Sequence, residues 1–393
     1  MEMTENVMAS IEKKNDSERV IANIHGLKAS PTIVIIAGIH GNEKAGIHAL
    51  EKVIQIIDNE NIKFNGNFYA ISGNLNALEK NIRFDKVDLN RIWTHEHIAN
   101  INTVQNGFNE DIKEQIGIYN FIKNILSKDK GPFYFIDLHT TSSDTIPFIT
   151  ISDSLNNRKF SSNFTVPIVL GIEEFLDGPL LTYINEFGHM ALGFEGGQHK
   201  DSKSIDNCEA FIWLTLVYTG CIKKDQVKDY NLFKSRLLAY SKRQEFYEID
   251  YRYLISGNED FKMNKGFKNF DPIAKDQLLA KSDSTQITST MNGRILMPLY
   301  QKKGNEGFFI ITKISKFWLN ASIIFRKLKM HHLLRLLPGV KKDPNNSFTL
   351  LVNPKTAKFL RREIFHLFGY RKQVIIDDKL HFIKRDREVT EFK

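Results

Sequence analysis

The sequence predicts an α/β fold: a mixed sheet flanked by helices, then a smaller β-rich second domain and a basic C-terminal extension. Three observations carry this reading. Apolar strand-like runs alternate with helical periodicities from about residue 19 to residue 221. From about Gln226 that texture gives way to short strand-like pieces separated by Gly, Asn and Asp. Beyond that the charge changes. Lys313 to Lys393 holds 19 Lys and Arg against 7 Asp and Glu, which leaves 35 bases and 39 acids for the 312 residues before it. The net charge of +8 therefore belongs to the C-terminal end. The expected domains are residues 1–225, 226–312 and 313–393.

The chain opens with a polar lead-in, expected to be mobile, and a first strand from Arg19 to His25. The stretch PTIVIIAGIHGNEKAG, Pro31 to Gly46, organises the first domain. Its apolar run Ile33 to Ala37 reads as a buried strand. Ala45, Ile47, Ala49, Leu50, Val53, Ile54 and Ile57 then have helical spacing. A second strand is predicted over Phe64 to Ser72. A helix over about Gln105 to Leu126 aligns Phe108, Ile112, Ile116, Tyr119, Ile122 and Leu126. A third buried strand spans Phe133 to Leu138. Short strands come next at Ile146 to Ile151 and Val166 to Leu170, then a helix at Leu180 to Phe187. A strand at Met190 to Phe194 ends at Glu195, and a last helix runs from about Ile205 to Cys221. In the second domain, strand-like pieces fall at Tyr251 to Ile255, Gln286 to Thr290, Arg294 to Pro298 and Gly307 to Ile311. The extension starts with a basic, apolar segment of helical spacing that ends at Pro338-Gly339.

Several function classes are excluded early. Two cysteines, Cys208 and Cys221, make no disulfide framework, and no Cys/His zinc-finger spacing is present. The N-terminus has acids and no apolar core of a secretory signal, and no apolar run approaches the roughly 18 residues of a membrane span. A reduced, cytoplasmic protein is expected. No GxSxG or P-loop spacing occurs.

Four predicted strand ends present polar residues: His40 and Glu43, then Asp88, Asn90 and Arg91, then His139, then Glu195. The carboxyl edge of an open α/β sheet is where such folds place ligands. Two imidazoles and a carboxylate are the protein ligands of a catalytic zinc, which keeps a fourth position for water. Glu195 is suited to take a proton from that water, and Arg83 to help a developing oxyanion. Asn90 and Arg91 could hold a carboxylate, Arg91 through its planar fork. The remaining histidines, His25, His48, His95, His97, His189 and His199, are read as surface or core residues, with His199 the nearest to Glu195. Asp137 is read either as a partner of a ligating histidine or as a turn cap.

HGNE at 40–43, DLNR at 88–91, DLHTTS at 137–142 and FEGG at 194–197 resemble the succinylglutamate desuccinylase/aspartoacylase family, relatives of the zinc carboxypeptidases. MNGRILMPLYQKKGNEGFFI at 291–310 is similar to that family's C-terminal β domain. The resemblance implies a zinc-carboxypeptidase-like sheet and one Zn²⁺ per chain on His40, Glu43 and His139. It implies Asp88 as the acid that orients His40, and Asn90 and Arg91 as the grip on a substrate carboxylate. Arg83 would polarise the scissile carbonyl, and Glu195 would be the general acid/base. The implied reaction is hydrolysis of an amide bond in an N-acyl amino acid or similar small carboxylate. The alternatives are a zinc carboxypeptidase acting on a short peptide or cell-wall fragment, and an inactive zinc-binding scaffold. One departure stands out: TYINEFGHMALGF, 182–194, lacks the arginine with which aspartoacylases hold a second carboxylate. The expected partner is a small-molecule substrate with a carboxylate, with no requirement for nucleic acid. The extension offers an anionic surface a contact and is expected to be dispensable for the chemistry. The oligomeric state is left open.

Overall fold

A computed structural model of the protein describes residues 19–100, 109–241, 243–257, 259–353, 362–376 and 379–392. The lead-in before Arg19 and the first residues of the helix expected from Gln105 lie outside this set. The first part contains β1 (Val20–Ile24), β2 (Thr32–Ala37), α1 (Ala45–Glu60), β3 (Asn67–Ser72), α2 (Leu75–Lys80), α3 (His95–Asn100) and α4 (Glu110–Lys128). It continues through β4 (Phe133–Thr141), β5 (Phe148–Ile151), α5 (Leu155–Ser161), β6 (Ile168–Leu170), α6 (Leu180–Glu186), β7 (Met190–Gln198), α7 (Ser202–Tyr218) and α8 (Tyr230–Leu238).

β2 shows why its sequence is apolar throughout. Its side chains alternate between two cores, Ile33, Ile35 and Ala37 on one face and Val34 and Ile36 on the other. α1 and α7 cover the first face with Leu50, Val53 and Phe211, and α4 and α6 cover the second with Ile118, Ile122 and Ile184. A strand covered on both faces has no place for the polar alternation of a surface strand. The stripe predicted for α4 is displaced: Ile118, Tyr119, Ile122 and Ile125 are buried, while Ile112 and Ile116 pack at its margin. Its first turns bury Asp111 and Gln115 instead, for a reason that belongs to the site.

β8 (Phe246–Leu254), β9 (Phe261–Met263), β10 (Pro272–Ile273), β11 (Leu278–Ser282), β12 (Thr285–Thr288), β13 (Gly293–Leu296) and β14 (Glu306–Lys313) form the β-rich part. One mixed sheet of 11 strands, in the order β1-β3-β2-β4-β7-β5-β6-β8-β14-β13-β10, passes through both parts. β3, β2, β4 and β7 are mutually parallel, and β6 and β8 join the two parts in parallel.

The basic segment is more than a helix. It contains α9 (Lys316–Lys327), a 3-10 stretch over Met330–Leu336, β15 (Val340–Lys342), β16 (Thr349–Val352), α10 (Arg362–Leu367), β17 (Tyr370–Ile376) and β18 (Lys379–Lys384). Its strands pair as a separate four-stranded sheet, β15-β16-β18-β17, around Leu334, Leu350, Phe365 and Phe382. Two of its arginines are buried in the first part of the chain. Arg371 Nε lies 2.6 Å from Asp153 Oδ2 and Nη1 2.8 Å from Glu174 Oε1. Arg326 Nη1 lies 3.3 Å from Asp153 Oδ1, and its Nη2 donates to the Asp153 carbonyl at 2.7 Å. These contacts run against the expectation of a dispensable extension, because cutting it away would strip a buried aspartate of two cations.

Candidate active site

The carboxyl ends of β2, β4 and β7 deliver the site. After β2 the chain turns through Gly38, which has the left-handed φ of +72°, and Gly41 packs so closely on α2 that a side chain would meet the Ala77 backbone at 2.0 Å. That turn brings His40 and Glu43 back over the sheet. β4 continues past Leu138 to carry His139 within the strand, directly across from Glu195 on β7. β7 also runs further than expected, to Gln198, so Glu195 lies inside a strand rather than at its end.

Glu43 is at the centre. Its Oε1 lies 2.9 Å from His40 Nδ1, and its Oε2 lies 3.1 Å from His139 Nδ1 and accepts the Thr140 N–H at 2.9 Å. One ligand-capable atom from each of His40, Glu43 and His139 falls within 4.8 Å of the others, and all three residues are buried. The other imidazole nitrogens meet carboxylates: His40 Nε2 lies 3.0 Å from Asp88 Oδ1, and His139 Nε2 lies 2.7 Å from Asp137 Oδ2. Such partners fix ring orientation and raise basicity, as the outer carboxylates of zinc-bound histidines do. Asp137 thus pairs with His139. This donor set, two imidazoles backed by carboxylates around a third carboxylate, fits a zinc ion.

The electrostatics result from the packing. Burial alone would raise the Glu43 carboxyl, but His40 and His139 hold it well below the usual range. Asp88 is likewise held well down by His40 and Arg83 against its burial. Burial works to lower His139, yet Asp137 and Glu43 lift it well above its ordinary value. Glu195 behaves oppositely. Burial, with Glu43 and Asp137 nearby, pushes it up to about 8, and its Oε2 is buried with no hydrogen-bond partner.

The predicted residues converge on one cavity of about 140 Å³, which His40, Glu43, Arg83, Asn90, Arg91, His139 and Glu195 all line. Asp88 stands behind it. Arg83 is tied to the cluster, with Nη1 3.3 Å from Glu43 Oε1 and Nη2 3.2 Å from Asp88 Oδ2. The loop that carries Arg83 and Asp88 is held from below by the buried Asp111 of α4, which accepts the N–H groups of Lys86 at 2.7 Å, Val87 at 2.9 Å and Asp85 at 3.2 Å. Asn90 uses its side-chain carbonyl oxygen to accept the Leu180 N–H at 3.0 Å.

Arg91 differs from expectation. Its fork meets a carboxylate of the chain itself: Nε lies 3.2 Å from Glu306 Oε1 and Nη2 2.9 Å from Glu306 Oε2. Glu306, Gln301 and Met297 come from the β-rich part and close one wall of the cavity. His199 also lines it, with Nδ1 2.8 Å from Thr140 Oγ1 and Nε2 3.3 Å from Gln301 Oε1, so it is neither a plain surface nor a plain core histidine. No spacing in the sequence announces Glu306 or Gln301, because their partners Arg91 and Asn42 lie over 200 residues away.

Residues 29–206 match the family model described as the succinylglutamate desuccinylase/aspartoacylase catalytic domain. Over these residues the chain is similar to the catalytic domain of that family. A succinylglutamate desuccinylase of Pseudomonas putida (strain GB-1) is 31% identical over 108 residues, a match that spans 28% of this chain and 30% of that protein. Among solved structures, the succinylglutamate desuccinylase of Vibrio cholerae superposes with a TM-score of 0.55 at 14% identity, over 78% of this chain and 91% of that one. The ectoine utilization protein of Ruegeria pomeroyi gives a TM-score of 0.54 at 15% identity, over 78% and 99%. At such identities these structures establish the shared fold. The HGNE, DLNR, DLHTTS and FEGG stretches are the segments that meet at the cavity.

Proposed function

We propose that the chain hydrolyses the amide bond of a small N-acyl amino acid, with one zinc ion held by His40, Glu43 and His139. The observation that carries this is the meeting of that triad with the buried, unpaired carboxylate of Glu195 on one cavity wall. Zinc, when bound, would polarise the scissile carbonyl and make water acidic enough to attack near neutral pH. Asp88 and Asp137 keep the imidazoles oriented with their proton-bearing nitrogens turned away from Glu43. Glu195 accepts the proton of the attacking water and returns it to the leaving amine, a task suited to a carboxyl raised toward neutrality. Arg83 holds Glu43 and Asp88 in place and offers positive charge beside the developing oxyanion.

The lining supports an apolar group on the substrate. Ile151, Ile172, Leu176, Leu181, Met297 and Phe309 face the cavity, and among the described residues its lining contains no lysine or arginine besides Arg83 and Arg91. That agrees with the missing arginine in 182–194 and favours an apolar acyl group over a dicarboxylic one. The small volume favours an acylated amino acid over a peptide, and the presence of both Glu195 and Arg83 at the cavity favours an enzyme over a scaffold. Release of free amine from apolar N-acyl, N-succinyl and dipeptide substrates, each as free acid and as amide, tests the reading. Apolar N-acyl amino acids in free-acid form are expected to be turned over best. A substrate carboxylate would take over the Arg91 fork from Glu306; Arg91→Lys keeps charge but loses the fork, so it should lower kcat/KM on free acids by roughly 10- to 150-fold. If the parent handles acids and amides equally, Arg91 reads no carboxylate and the substrate assignment fails.

A further inference from the structure

α9 is turned the unusual way round. A surface helix ordinarily sends its apolar stripe inward. Here Leu319, Ser322 and the paired Arg326 face the protein, while Phe317, Ile324 and the adjoining Leu328, at helical spacing, are 69%, 54% and 67% exposed. Trp318 lies beside them, edge-on to Phe317 at 5.0 Å and 56% exposed, and Leu336 of the next turn is 80% exposed. From Ile314 to Lys342 there is no acidic residue, and Lys316, Lys327, Lys329 and Arg335 are all exposed around this face. Along its flank runs a hollow of about 1080 Å³ in which Lys159, Arg243, Lys316 and Lys327 stand over Leu319 and Ile323. The acid in that hollow, Glu245, is already paired with Lys313.

We propose that this face docks on an anionic phospholipid bilayer, with α9 lying in the plane of the interface. Its two chemistries occur in the order a bilayer offers them. Phe317, Ile324, Leu328 and Leu336 enter the acyl boundary, Trp318 sits at headgroup level, and the flanking lysines meet lipid phosphates, with the hollow taking a headgroup. A nucleic acid has no apolar layer for four such side chains. A second copy of the chain would bring the same positive charge against itself. Attachment of this kind is peripheral: among the described residues no helix is long and apolar enough to cross a membrane.

The test uses the full chain with vesicles of phosphatidylcholine alone and of phosphatidylcholine mixed with phosphatidylglycerol. The protein is expected to co-sediment with the anionic vesicles only, and less so as salt is raised. Trp93 and Trp213 are both 2% exposed, so a blue shift of tryptophan emission on binding reports Trp318. Phe317→Ser with Ile324→Ser and Leu328→Ser should abolish sedimentation while thermal melting stays at the parent's value. Lys316→Gln with Lys327→Gln, a change confined to exposed side chains, should weaken binding by roughly 10- to 30-fold. The proposal is overturned if the parent stays in solution with anionic vesicles, sediments equally with neutral ones, or binds undiminished after both sets of changes. A vesicle-free dimer that the triple serine variant dissolves would likewise overturn it and give the face to a second copy.

Discussion

Two groups of buried charge stand in this chain, and they differ in what they leave unpaired. Around Asp153, both carboxylate oxygens are taken by the guanidinium groups of Arg158, Arg326 and Arg371, and Glu174 is taken by Arg371 and His366. Around Glu43, the partners are imidazoles, and the neighbouring Glu195 keeps a buried oxygen without a partner. Both central carboxylates are held well below their usual range against the effect of burial, Asp153 by three arginines and Glu43 by two histidines. The cations decide the difference. Arginine has no lone pair to give and does not deprotonate, so the Asp153 group is closed and can hold no metal. A neutral imidazole turns a lone pair toward an ion, so the Glu43 group can open onto chemistry.

The sharpest way to break this comparison is His40→Ala. Two remaining ligands rarely hold zinc, so metal content is expected to fall to background and amide hydrolysis to vanish. Some stability should go with the metal, because the buried carboxylates of Glu43 and Asp88 lose the imidazole that holds them ionised. Elemental analysis showing a fully loaded variant would remove His40 from the site.

Glu195→Gln separates the proton from the metal. The variant should keep its zinc while turnover drops by roughly 10²- to 10⁴-fold, the usual worth of general acid–base help. Activity within a few-fold of the parent would pass the proton to another group, with His199 on the same cavity wall the first to examine.

In the Asp153 group the pattern should reverse. Arg371→Met leaves Glu174 and Asp153 each short of a cation, and breaking a buried pair in this way costs about 3–5 kcal/mol. Denaturant unfolding should register that loss while zinc content per folded molecule stays at the parent's level. A variant as stable as the parent would make these contacts dispensable and restore the expectation that the chain can be cut near residue 313.

The two groups are not equally legible in the sequence. His40, Glu43, His139 and Glu195 sit in short motifs directly after apolar runs, so strand prediction alone brings them to one sheet edge, and Asp88 is found through the DLNR stretch. β4 and β7 run on past their expected ends at Leu138 and Glu195, through residues that are polar and still buried, such as Thr140 and Thr141. The Arg91–Glu306 pair joins residues 215 apart, and no local pattern encodes such a contact. The C-terminal segment misleads for a physical reason. A count of bases describes a solvated face, whereas Arg371 is fully buried because three carboxylates from elsewhere in the chain surround it. Its four-stranded sheet is carried by short strands of mixed polarity, which periodicity does not separate from loops.

Acid should expose the closed group gradually. Burial would raise the Glu174 carboxyl, but His366 at 3.2 Å and Arg371 at 2.8 Å bring it down from 4.5 to about 2. A depressed carboxyl contributes stability that is fully present above its unfolded value and is lost as pH falls toward its folded one. The contribution of Glu174 is therefore whole above about pH 5 and fades between there and pH 2, with an upper size of roughly 3 kcal/mol. Glu174→Gln keeps the shape and removes the titration. At neutral pH the parent should melt higher than this variant, and the gap should narrow steadily from pH 5 downward. Melting curves for both proteins across that range decide it: a gap that stays constant to pH 3 would mean that Glu174 contributes by packing, and that its charge pairing with the extension adds nothing to stability.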